Sequence, residues 1–521
     1  MTVENVAEIL DQPRRIRDKI VTVDQLANIV RALKSSGKTV VQCHGTFDLL
    51  HPGHLRHLEA AHHEGDILIV TVTADEFVNK GPGRPIYNQQ LRCEMLASLQ
   101  FVSWVAVNSQ LDAVSLIHKI QPNIYAKGQD YADAGKDVTG KIRLEVEAVE
   151  SHGGKFVMTN EITFSSTQLT NQHFDIYKPE MNEYLRQLRK NKSMTEIFEL
   201  VESVRDYRVV FIGDTIIDEY RYVAVMGKSA KENIIATRHL NSDVFAGGVI
   251  AAANQTAAFC KEVEIITVLG NDNAAELDIQ HALKPNVKLS PVYRNDSRTI
   301  RKIRFVEKEQ TRKLFEVCHI SDAPINQEVE SDLLSLIYTK LADADMVIVT
   351  DFGHGLLTPV VIKTLANQKK FLAVNAQANS ANRGFNLITK YPRADYICIN
   401  SDEARLAVSD RHSPLELVVG RELASRIDCP KMIVTQGRRG SIAYSRGHEP
   451  MVLPAFADKV VDSMGAGDAV LAVTAPLVAA GGDMEAVGFI GNILGALNVK
   501  MVGQQSVEKA SVIKGISALL K

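Results

Sequence analysis

Short runs of aliphatic and β-branched residues alternate with amphipathic stretches along the first third of the chain. The apolar runs lie at 38–42, 66–73, 104–107 and 123–126, and the stretches between them at 55–61, 88–99 and 113–120 have helical spacing. Apolar runs of this length are typical of strands that are buried on both faces. The alternation predicts a parallel sheet with a ligand-binding crevice at the carboxyl ends of its strands.

The pattern changes between residues 171 and 206, where two amphipathic stretches rich in charge, at 180–190 and 194–204, occur without a strand signal. A second alternating series then begins with Arg208-Val-Val-Phe-Ile and continues to the end, and the two halves share no repeat. We therefore predict an α/β protein with two doubly wound parallel-sheet domains. The expected boundaries are a helical lead-in packed on the first domain at 1–36, a first domain at 37–172, a helical linker at 173–206 and a second domain at 207–521.

Composition and charge exclude several classes of protein. A chain of 521 residues is too long for one hydrophobic core, which agrees with two domains or three. The net charge of −3 gives no sign of a nucleic-acid-binding surface, and the six cysteines form no CxxC pair. The first residues are polar, and the longest apolar stretch, Ala469–Ala480, contains a proline and is too short to span a bilayer. We expect a cytoplasmic protein without nucleic-acid or membrane partners.

The first chemistry-bearing stretch is His44-Gly-Thr-Phe-Asp48-Leu-Leu-His51-Pro-Gly-His54, between a predicted strand and a predicted helix. A glycine-bearing loop before a helix start places backbone N–H groups around a phosphate. His51 and His54 are three residues apart, so they lie on one helix face and can donate to the same phosphate group.

Further polar groups follow the predicted strand ends of this half: Lys80, Arg84, Arg92, Lys127, Ser166 and Thr167. Cationic groups at such positions can neutralise the charge of a bound phosphate group.

The first motif resembles the HxGH signature of the nucleotidyltransferase superfamily, in the GxFDxxHxGH form of its cytidylyltransferase-like branch. Residues from about Lys19 to Asn171 are similar to the adenylyltransferase domain of bacterial bifunctional heptose kinase/adenylyltransferases, which make ADP-heptose for cell-surface glycans. The resemblance implies a Rossmann-like fold and catalytic roles for His51, His54 and Lys80. It also implies a set of nucleotide-binding residues: Gly45, Thr46, Phe47, Asp48, Arg84, Arg92, Lys127, Gly128, Asp130, Ser166 and Thr167. Thr46 is a departure, because the family often has cysteine there.

Simpler interpretations remain open for parts of this half. The histidines at 51, 54 and 57, with two more at 62 and 63, have a spacing suited to zinc, although no cysteine or acidic partner completes such a site. Asp48 is as consistent with capping the loop as with contacting a ligand. Arg92 is also consistent with an ordinary exposed charge on a helix.

The second chemistry-bearing stretch is Asp462-Ser-Met-Gly465-Ala466-Gly467-Asp468, followed by an apolar helix. Small residues allow successive backbone N–H groups to point into one hollow at the helix start, where they form an anion hole for a phosphoryl group in transfer. Asp468 at the edge of this hollow can take a proton from an attacking sugar hydroxyl.

This stretch resembles the DTxGAGD signature of the ribokinase-like (PfkB) sugar kinases, and the resemblance covers roughly Arg208–Gly503. It implies that Gly465, Ala466 and Gly467 form the anion hole, that Thr435, Gly437 and Gly440 contact ATP, and that Asn400 and Glu403 organise Mg²⁺ through water. It implies a sugar-binding set as well: Asp214, Asp218, Gly247, Gly248 and Asp351. Residues 222–235 and 299–317 would form a small β lid over the sugar. The protein-kinase-like triplet Asp351-Phe-Gly353 has none of its companion motifs, so we attribute it to chance.

Two departures concern the sugar kinase signature. The heptose kinases have GGxxN at the sugar-contacting helix, whereas this chain has Ala251 at the asparagine position, and Asn254 one turn later either replaces it or simply lies in the helix. After the strand at 371–374 the family has Asp-Pro-Lys, whereas this chain has Asn375-Ala-Gln377, so both charges are missing. The domain order is also inverted. Either the acceptor sugar differs or the kinase half works weakly.

Three functional hypotheses follow. The first is a bifunctional transferase in which a kinase uses ATP and Mg²⁺ to phosphorylate a sugar phosphate at its anomeric hydroxyl, and a nucleotidyltransferase uses ATP or CTP to convert a sugar 1-phosphate into an NDP-sugar of the ADP-heptose kind. The second keeps the nucleotidyltransferase but treats the kinase-like half as a binding or regulatory module, or as a kinase for another sugar. The third is a CTP-dependent transferase for a polyol phosphate. The resemblance also suggests a homodimer formed through the lid. The sequence leaves the sugar, its anomer and the choice between ATP and CTP undetermined.

Overall fold

The computed structural model describes residues 15–78, 84–110, 112–128, 141–159, 177–229, 231–271, 273–309, 312–379, 382–457, 460–503 and 505–520. The chain divides into two compact units, one comprising Met1–Asn182 with Ile513–Lys521 and the other Glu183–Val512. The finer boundaries expected at residues 36, 172 and 206 remain predictions.

The first unit contains a five-stranded parallel sheet with strand order β3-β2-β1-β4-β5. Its strands are β1 (Val40–Gly45), β2 (Ile67–Thr73), β3 (Val102–Asn108), β4 (Ile124–Gly128) and β5 (Lys155–Thr159). Its helices include α1 (Val23–Ser35), α2 (Pro52–His63), α3 (Gln89–Ala97), α4 (Val114–Ile120) and α5 (Lys141–Glu150). The strand order changes direction between β1 and β4, and in sheets of this kind ligands bind outside the carboxyl ends of the strands at that point.

Apolar side chains cover both faces of this sheet. On one face Leu26, Val30 and Leu33 of α1 join a buried cluster with strand residues such as Ile69 and Trp104. The other face buries residues of α2 and α3 against β1 and β2. Helix α1 begins with a capping box in which Thr22 and Gln25 exchange hydrogen bonds, which fixes its start. The predicted lead-in helix is therefore part of the first unit's core.

The second unit contains a nine-stranded sheet with strand order β10-β9-β6-β13-β14-β15-β16-β17-β18. Its strands are β6 (Arg208–Gly213), β9 (Glu262–Gly270), β10 (Val287–Arg294), β13 (Met346–Asp351), β14 (Phe371–Ala376), β15 (Tyr396–Asn400), β16 (Lys431–Thr435), β17 (Ser441–Ser445) and β18 (Met451–Leu453). The pairings from β10 to β16 are parallel, and β17 and β18 add an antiparallel edge.

A separate four-stranded sheet with order β12-β11-β7-β8 belongs to the same unit, and we call it the lid. Its strands are β7 (Thr215–Lys228), β8 (Ile235–Gly248), β11 (Ile300–Glu307) and β12 (Arg312–His319). The two stretches predicted to form a small β lid lie within it. The expectation of two parallel-sheet domains with a small β lid on the second is confirmed.

Helices α6 (Pro179–Asn191) and α7 (Met194–Ser203) occupy the stretch predicted as a helical linker. The other long helices are α8 (Val249–Thr256), α9 (Asn273–Ala282), α10 (Gln327–Leu341), α11 (Pro359–Ala366), α12 (Ser401–Val408), α13 (Ala466–Ala479), α14 (Met484–Asn498) and α15 (Lys509–Leu520). Helix α13 is buried all round from Asp468 to Val478, which explains its almost uninterrupted apolar sequence. Within the described ranges, no helix is both long and apolar enough to cross a membrane.

Candidate active sites

The first site lies where β1 ends and α2 begins. Phe47 has a left-handed backbone (φ 47°) that turns the chain from the strand into the loop. His51 is the N-cap residue of α2, and its Nδ1 atom accepts a hydrogen bond from the Gly53 N–H at 3.1 Å. The ring of His54 stacks on that of His51 with a centroid distance of 3.8 Å. The two histidines of the predicted pair are therefore adjacent at a helix start, as the sequence indicated.

Burial keeps other histidines near this loop neutral. Burial and the nearby charge of Lys127 lower the pKa of His44 to about 3, and the same two causes lower the pKa of His57 to about 4. The Lys127 ammonium group is buried and lies 3.1 Å from a Glu145 carboxylate oxygen. His57 Nδ1 is 2.7 Å from the Thr159 hydroxyl. Lys127 and Arg84 each have a carboxylate partner in this region, which is Glu145 for Lys127 and Asp48 for Arg84.

Asp48 and Arg84 form a fully buried ion pair with 2.6 Å between Nη1 and Oδ2. The other Asp48 oxygen accepts from the backbone N–H groups of Ile86 and Tyr87 at 2.6 and 3.3 Å. Asp48 therefore tethers the loop after β1 to the 84–87 segment, which is the capping alternative rather than a ligand contact. The Nε and Nη2 groups of Arg84 are buried and have no hydrogen-bond partner in the part of the chain that the structure describes, so an anionic ligand can use them.

Arg92 was expected either to bind the nucleotide or to be an exposed charge on a helix, and its position in the structure differs from both. Its side chain is fully buried and donates to the carbonyl oxygens of Tyr87, Thr46 and Thr73 at 3.0, 2.6 and 2.8 Å and to Asp75 at 2.6 Å. Because these donors are already used, Arg92 braces the loop after β1 and makes no direct nucleotide contact in this arrangement.

Other residues of the first site are placed as follows. Gly45 ends β1, Thr46 presents its carbonyl to Arg92, and Gly128 ends β4, whose carboxyl end faces the same edge as that of β1. Four predicted residues lie outside the described residues: Lys80, Asp130, Ser166 and Thr167.

The second site is a cavity of about 670 Å³ in the second unit. Gly465 is the N-cap residue of α13 and has a left-handed backbone (φ 74°), and it lines the cavity together with the first residues of that helix. All the predicted anion-hole and ATP residues line it: Gly465, Ala466, Gly467, Thr435, Gly437 and Gly440. The structure therefore brings the predicted anion-hole residues and the predicted ATP-contacting residues together in one cavity.

Asp468 lies in this cavity and is buried. Burial, followed by the negative charges of Glu403 and Asp218, raises the pKa of Asp468 to about 7, against the opposing effects of Lys302 and Gln377. A carboxylate with this pKa accepts a proton readily near neutral pH, which suits a general base.

The lid supplies the cationic side of the cavity. Lys302 and Arg304, two residues apart on β11, line it together with Asp218 of β7 and Gly248. Arg304 pairs with Asp218 and lies 3.2 Å from Glu316. Sequence reasoning missed both basic residues, although alternate basic positions on a lid strand were a usable signal, because residues i and i+2 point to the same side.

Gly248 allows its own backbone to pass close to the backbone of Asp214. Its φ of +60° is unfavourable for other residues, and a Cβ atom there would lie 2.4 Å from the carbonyl oxygen of Asp214. A glycine is therefore required between β8 and α8.

Two predicted sugar ligands have another position. The Asp351 carboxylate accepts from the Tyr391 hydroxyl at 2.6 Å and pairs with Lys390. Asp214 accepts from the N–H groups of Phe352 and His354, and burial together with the charge of Asp351 raises its pKa to about 6. Neither aspartate is among the residues that line the cavity, and both accept hydrogen bonds from the loop after β13, so their role as sugar ligands stays a prediction. Gly247 also does not line it.

Asn400 and Glu403 form the capping box of α12, and both line the cavity. Burial raises the pKa of Glu403 to about 7. No group of three or more His, Cys, Asp or Glu side chains arranged for a metal occurs among the described residues. Mg²⁺ usually keeps several waters and binds one or two carboxylates plus substrate phosphates. The donor set fits a hydrated Mg²⁺ held by Glu403 and a bound nucleotide.

The departures from the heptose-kinase pattern have distinct structural consequences. Asn254 bonds the backbone of Ala282 and Lys284, so it holds a loop and does not replace the missing asparagine of the sugar contact. Asn375 donates to the carbonyl of Cys398 at 2.7 Å. Gln377 lines the cavity and donates to Asp468, a contact that sequence analysis did not anticipate.

Curated relatives of this chain carry the name "Bifunctional protein HldE". The protein of Rhodopseudomonas palustris (strain BisA53) is 30% identical over 329 residues, which is 62% of this chain and 66% of the relative. That of Geotalea uraniireducens (strain Rf4) is 38% identical over 151 residues, 29% of each chain. The chain thus spans less than two thirds of the length of such relatives.

Among solved structures, the chain is similar to phosphofructokinase-2 from Escherichia coli in complex with substrates and products. The TM-score is 0.50 at 13% identity, and the match covers 61% of this chain and all of that one. This likeness supports the fold of the second unit.

Family models match both halves. The model for cytidylyltransferase-like proteins matches residues 43–172, and the model for pfkB family carbohydrate kinases matches residues 206–510. The second match covers more than half of the 521 residues. The chain therefore belongs to the pfkB family of carbohydrate kinases, with a cytidylyltransferase-like domain preceding the kinase domain.

Proposed function

We propose that this protein is a bifunctional transferase that makes an NDP-sugar. The kinase half phosphorylates a sugar phosphate at its anomeric hydroxyl, and the first half joins a sugar 1-phosphate to a nucleotide. The product is of the ADP-heptose kind, in keeping with the resemblance to the heptose kinase/adenylyltransferases. The resemblance implies that a phosphatase removes the distal phosphate between the two steps, so direct channelling is not implied.

The observation that carries the kinase proposal is the position of Asp468 beside an intact anion hole in one cavity with cationic lid residues. The sugar hydroxyl oxygen attacks the γ-phosphorus of ATP, the bond to the β,γ-bridging oxygen breaks, and ADP leaves. Asp468 takes the hydroxyl proton, while the N–H groups at the start of α13 hold the charge of the phosphoryl group. Glu403 would hold a hydrated Mg²⁺, which would neutralise part of the charge of the nucleotide phosphates.

The charge of the lid favours an acceptor that already carries a phosphate. Lys302 and Arg304 face the cavity from β11; Arg304 is paired with Asp218 and Glu316, whereas Lys302 forms no salt bridge with the described residues. Basic side chains at the sugar end of the cavity bind a phosphate monoester more strongly than a neutral sugar. This supports a sugar phosphate as the kinase substrate.

The transferase proposal relies on the stacked histidine pair and the buried Arg84. A phosphate oxygen of the sugar 1-phosphate attacks the α-phosphorus of the triphosphate, the α,β-bridging bond breaks, and pyrophosphate leaves. His51 and His54 at the helix start stabilise the phosphate charge, and no covalent intermediate forms. We propose ATP as the nucleotide and CTP as the alternative.

A second candidate function keeps the transferase and treats the kinase half as a binding or regulatory module. The observation that favours it is the neutral pair Asn375 and Gln377, where the resembling family has two charged residues. The buried base and the complete anion hole weigh against it.

We further propose a homodimer formed through the lid. Its strands and the turn between β7 and β8 expose large apolar side chains, among them Met226 at 65%, Ile235 at 64% and Phe315 at 54% exposure. Such a patch on a sheet is typical of an interface. Replacement of Phe315 by glutamate should convert the dimer to a monomer in light scattering; a wild-type monomer would exclude this assembly.

The test of the proposed function is ATP consumption across a panel of sugar phosphates, with wild type compared to Asp468→Asn. We expect wild-type turnover on a heptose phosphate and a loss of at least about 100-fold in the variant. Pyrophosphate release from sugar 1-phosphates, measured with ATP and with CTP, should be unchanged by this substitution. If no sugar phosphate raises wild-type turnover above that of the variant, the kinase-like half is a binding or regulatory module.

A further inference from the structure

The turn after β14 contacts the base of the proposed kinase reaction. The Nε2 amide group of Gln377 donates a hydrogen bond to Oδ1 of Asp468, across 91 residues of sequence. Asp468 sits in the first turn of α13, and both residues line the cavity. The second carboxylate oxygen of Asp468 is not engaged by this contact.

The backbone of Gln377 is fixed on both sides. Its N–H donates to the carbonyl of Asp351 at 2.8 Å, and its carbonyl accepts from the Asn386 side chain at 3.0 Å. Ordering a glutamine side chain still costs rotamer entropy, but a fixed backbone keeps the start of that side chain at a constant position. The surrounding loop therefore keeps the Gln377 amide within reach of Asp468.

The same turn also holds the other carboxylate of the cavity. The N–H of Ala378, the next residue, donates to Oε1 of Glu403 at 3.2 Å. Two successive residues thus fix the two acidic groups that face the transferring phosphoryl group. This is the segment in which the sequence departs from the Asp-Pro-Lys of the resembling family.

The surroundings of Asp468 explain what an amide contributes there. The negative charges of Glu403 and Asp218 disfavour the ionised form of Asp468, and the positive charge of Lys302 favours it. Gln377 adds a hydrogen-bond donor without adding a cation, so the orientation of the carboxylate is fixed separately from its charge balance.

We propose that Gln377 is a positioning residue for the kinase reaction, which holds Oδ1 of Asp468 so that Oδ2 faces the hydroxyl of the acceptor sugar. The inference rests on the proposed kinase function. In the transfer, the sugar oxygen forms its bond to the γ-phosphorus, ADP leaves, and the hydroxyl proton passes to Oδ2. Gln377 then replaces the lysine of the resembling family as a hydrogen-bond donor, and no function is lost at this position.

The test compares two substitutions of similar length in the full-length chain. Gln377→Met removes the donor, whereas Gln377→Lys retains one. We expect Gln377→Met to lower the kinase kcat at least about tenfold, with KM for ATP and for the sugar phosphate within about threefold of wild type. Gln377→Lys adds a cation as well as a donor, so the chains are compared at pH 9, where Asp468 is ionised in all of them, and there this variant should retain kcat within about threefold. Gln187→Met is the matched control, because Gln187 makes the same kind of amide-to-carboxylate bond, to Glu183 on an exposed helix.

Folding is monitored in the same chains by thermal unfolding and by pyrophosphate release, which should match wild type. A kcat for Gln377→Met within twofold of wild type would overturn the inference, as would an equal loss in Gln377→Lys or a loss confined to KM. A wild-type chain no faster than Asp468→Asn would instead overturn the proposed kinase function, and the positioning role with it.

Discussion

At the scale of single residues, buried charges account for the chemistry of both sites. Asp468 shares its cavity with Glu403 and Asp218, so ionising it places a third negative charge in a confined space. In the first unit the charged groups are instead neutralised in pairs, as between Asp48 and Arg84. The kinase cavity therefore holds a proton acceptor, and the transferase site holds pre-oriented donors.

The pH dependence of the kinase follows from this arrangement. Because burial and neighbouring carboxylates raise the pKa of Asp468 to about 7, a large fraction of the base is protonated and inactive below that pH. The kinase kcat/KM should therefore rise with pH, with a midpoint near 7 rather than near 4. A rate profile between pH 5 and pH 9, with Asp468→Asn as control, measures the midpoint. A flat profile over that range would exclude Asp468 as the base.

The role of Arg92 can be separated from nucleotide binding. Its buried guanidinium group donates to three carbonyl oxygens and to Asp75, so Arg92→Gln leaves several buried acceptors without a partner. We expect the first unit to lose about 3 kcal/mol of unfolding free energy. Denaturant unfolding and the KM for the triphosphate, measured on the same sample, decide the matter. A large increase in KM without a loss of stability would make Arg92 a nucleotide ligand after all.

At the scale of elements, the lid and the anion hole are joined through one carboxylate. Asp462 is buried at the start of the glycine turn, where it accepts from the N–H groups of Met464 and Gly503 at 3.1 and 3.3 Å. It also accepts from Tyr220 of β7 at 3.0 Å and from Lys313 of β12 at 2.8 Å. The position of the lid strands is therefore linked to the shape of the turn that carries the anion hole.

Loosening this link should weaken the kinase alone. Lys313→Met combined with Tyr220→Phe removes both lid donors, and we expect the kinase kcat to fall about fivefold to tenfold while pyrophosphate release is unchanged. Lys288→Met is the control, because it removes an exposed ion pair with Glu262 in the same unit. The link would be refuted by a double variant that matches the control in kcat.

The elements also explain which parts of the sites were predictable. The histidine loop and the glycine turn were found because a phosphate-binding helix start is encoded within a dozen consecutive residues. The roles of Arg92 and Asp351 were not, since they depend on Thr46 and Tyr391, which are distant in sequence. The Gln377–Asp468 contact spans 91 residues, so only the folded chain reveals it. Local motifs predict where a ligand binds, whereas tertiary contacts decide which polar residues contact it.

At the scale of the whole molecule, the described residues form three sheets in two units, and in each unit we propose one helix start as the phosphate-binding site. The five-stranded sheet carries the histidine pair, and the nine-stranded sheet with its lid carries the anion hole. The cytidylyltransferase-like match at 43–172 precedes the pfkB match at 206–510. Because each unit has its own core and its own catalytic groups, the two activities should respond independently to substitution.

Phosphorus-31 NMR of the intact protein tests this account most directly, because it reports the anomeric phosphate of the kinase product and the pyrophosphate of the transferase. One sample receives ATP, Mg²⁺ and a sugar phosphate without an anomeric phosphate, and a second receives ATP, Mg²⁺ and a sugar 1-phosphate, so that neither sugar substrate carries the signal that its sample reports. Asp468→Asn should abolish the first signal and keep the second. His54→Asn should keep the first and abolish the second. Loss of both signals in either variant, or survival of a signal in the variant meant to remove it, would contradict the account.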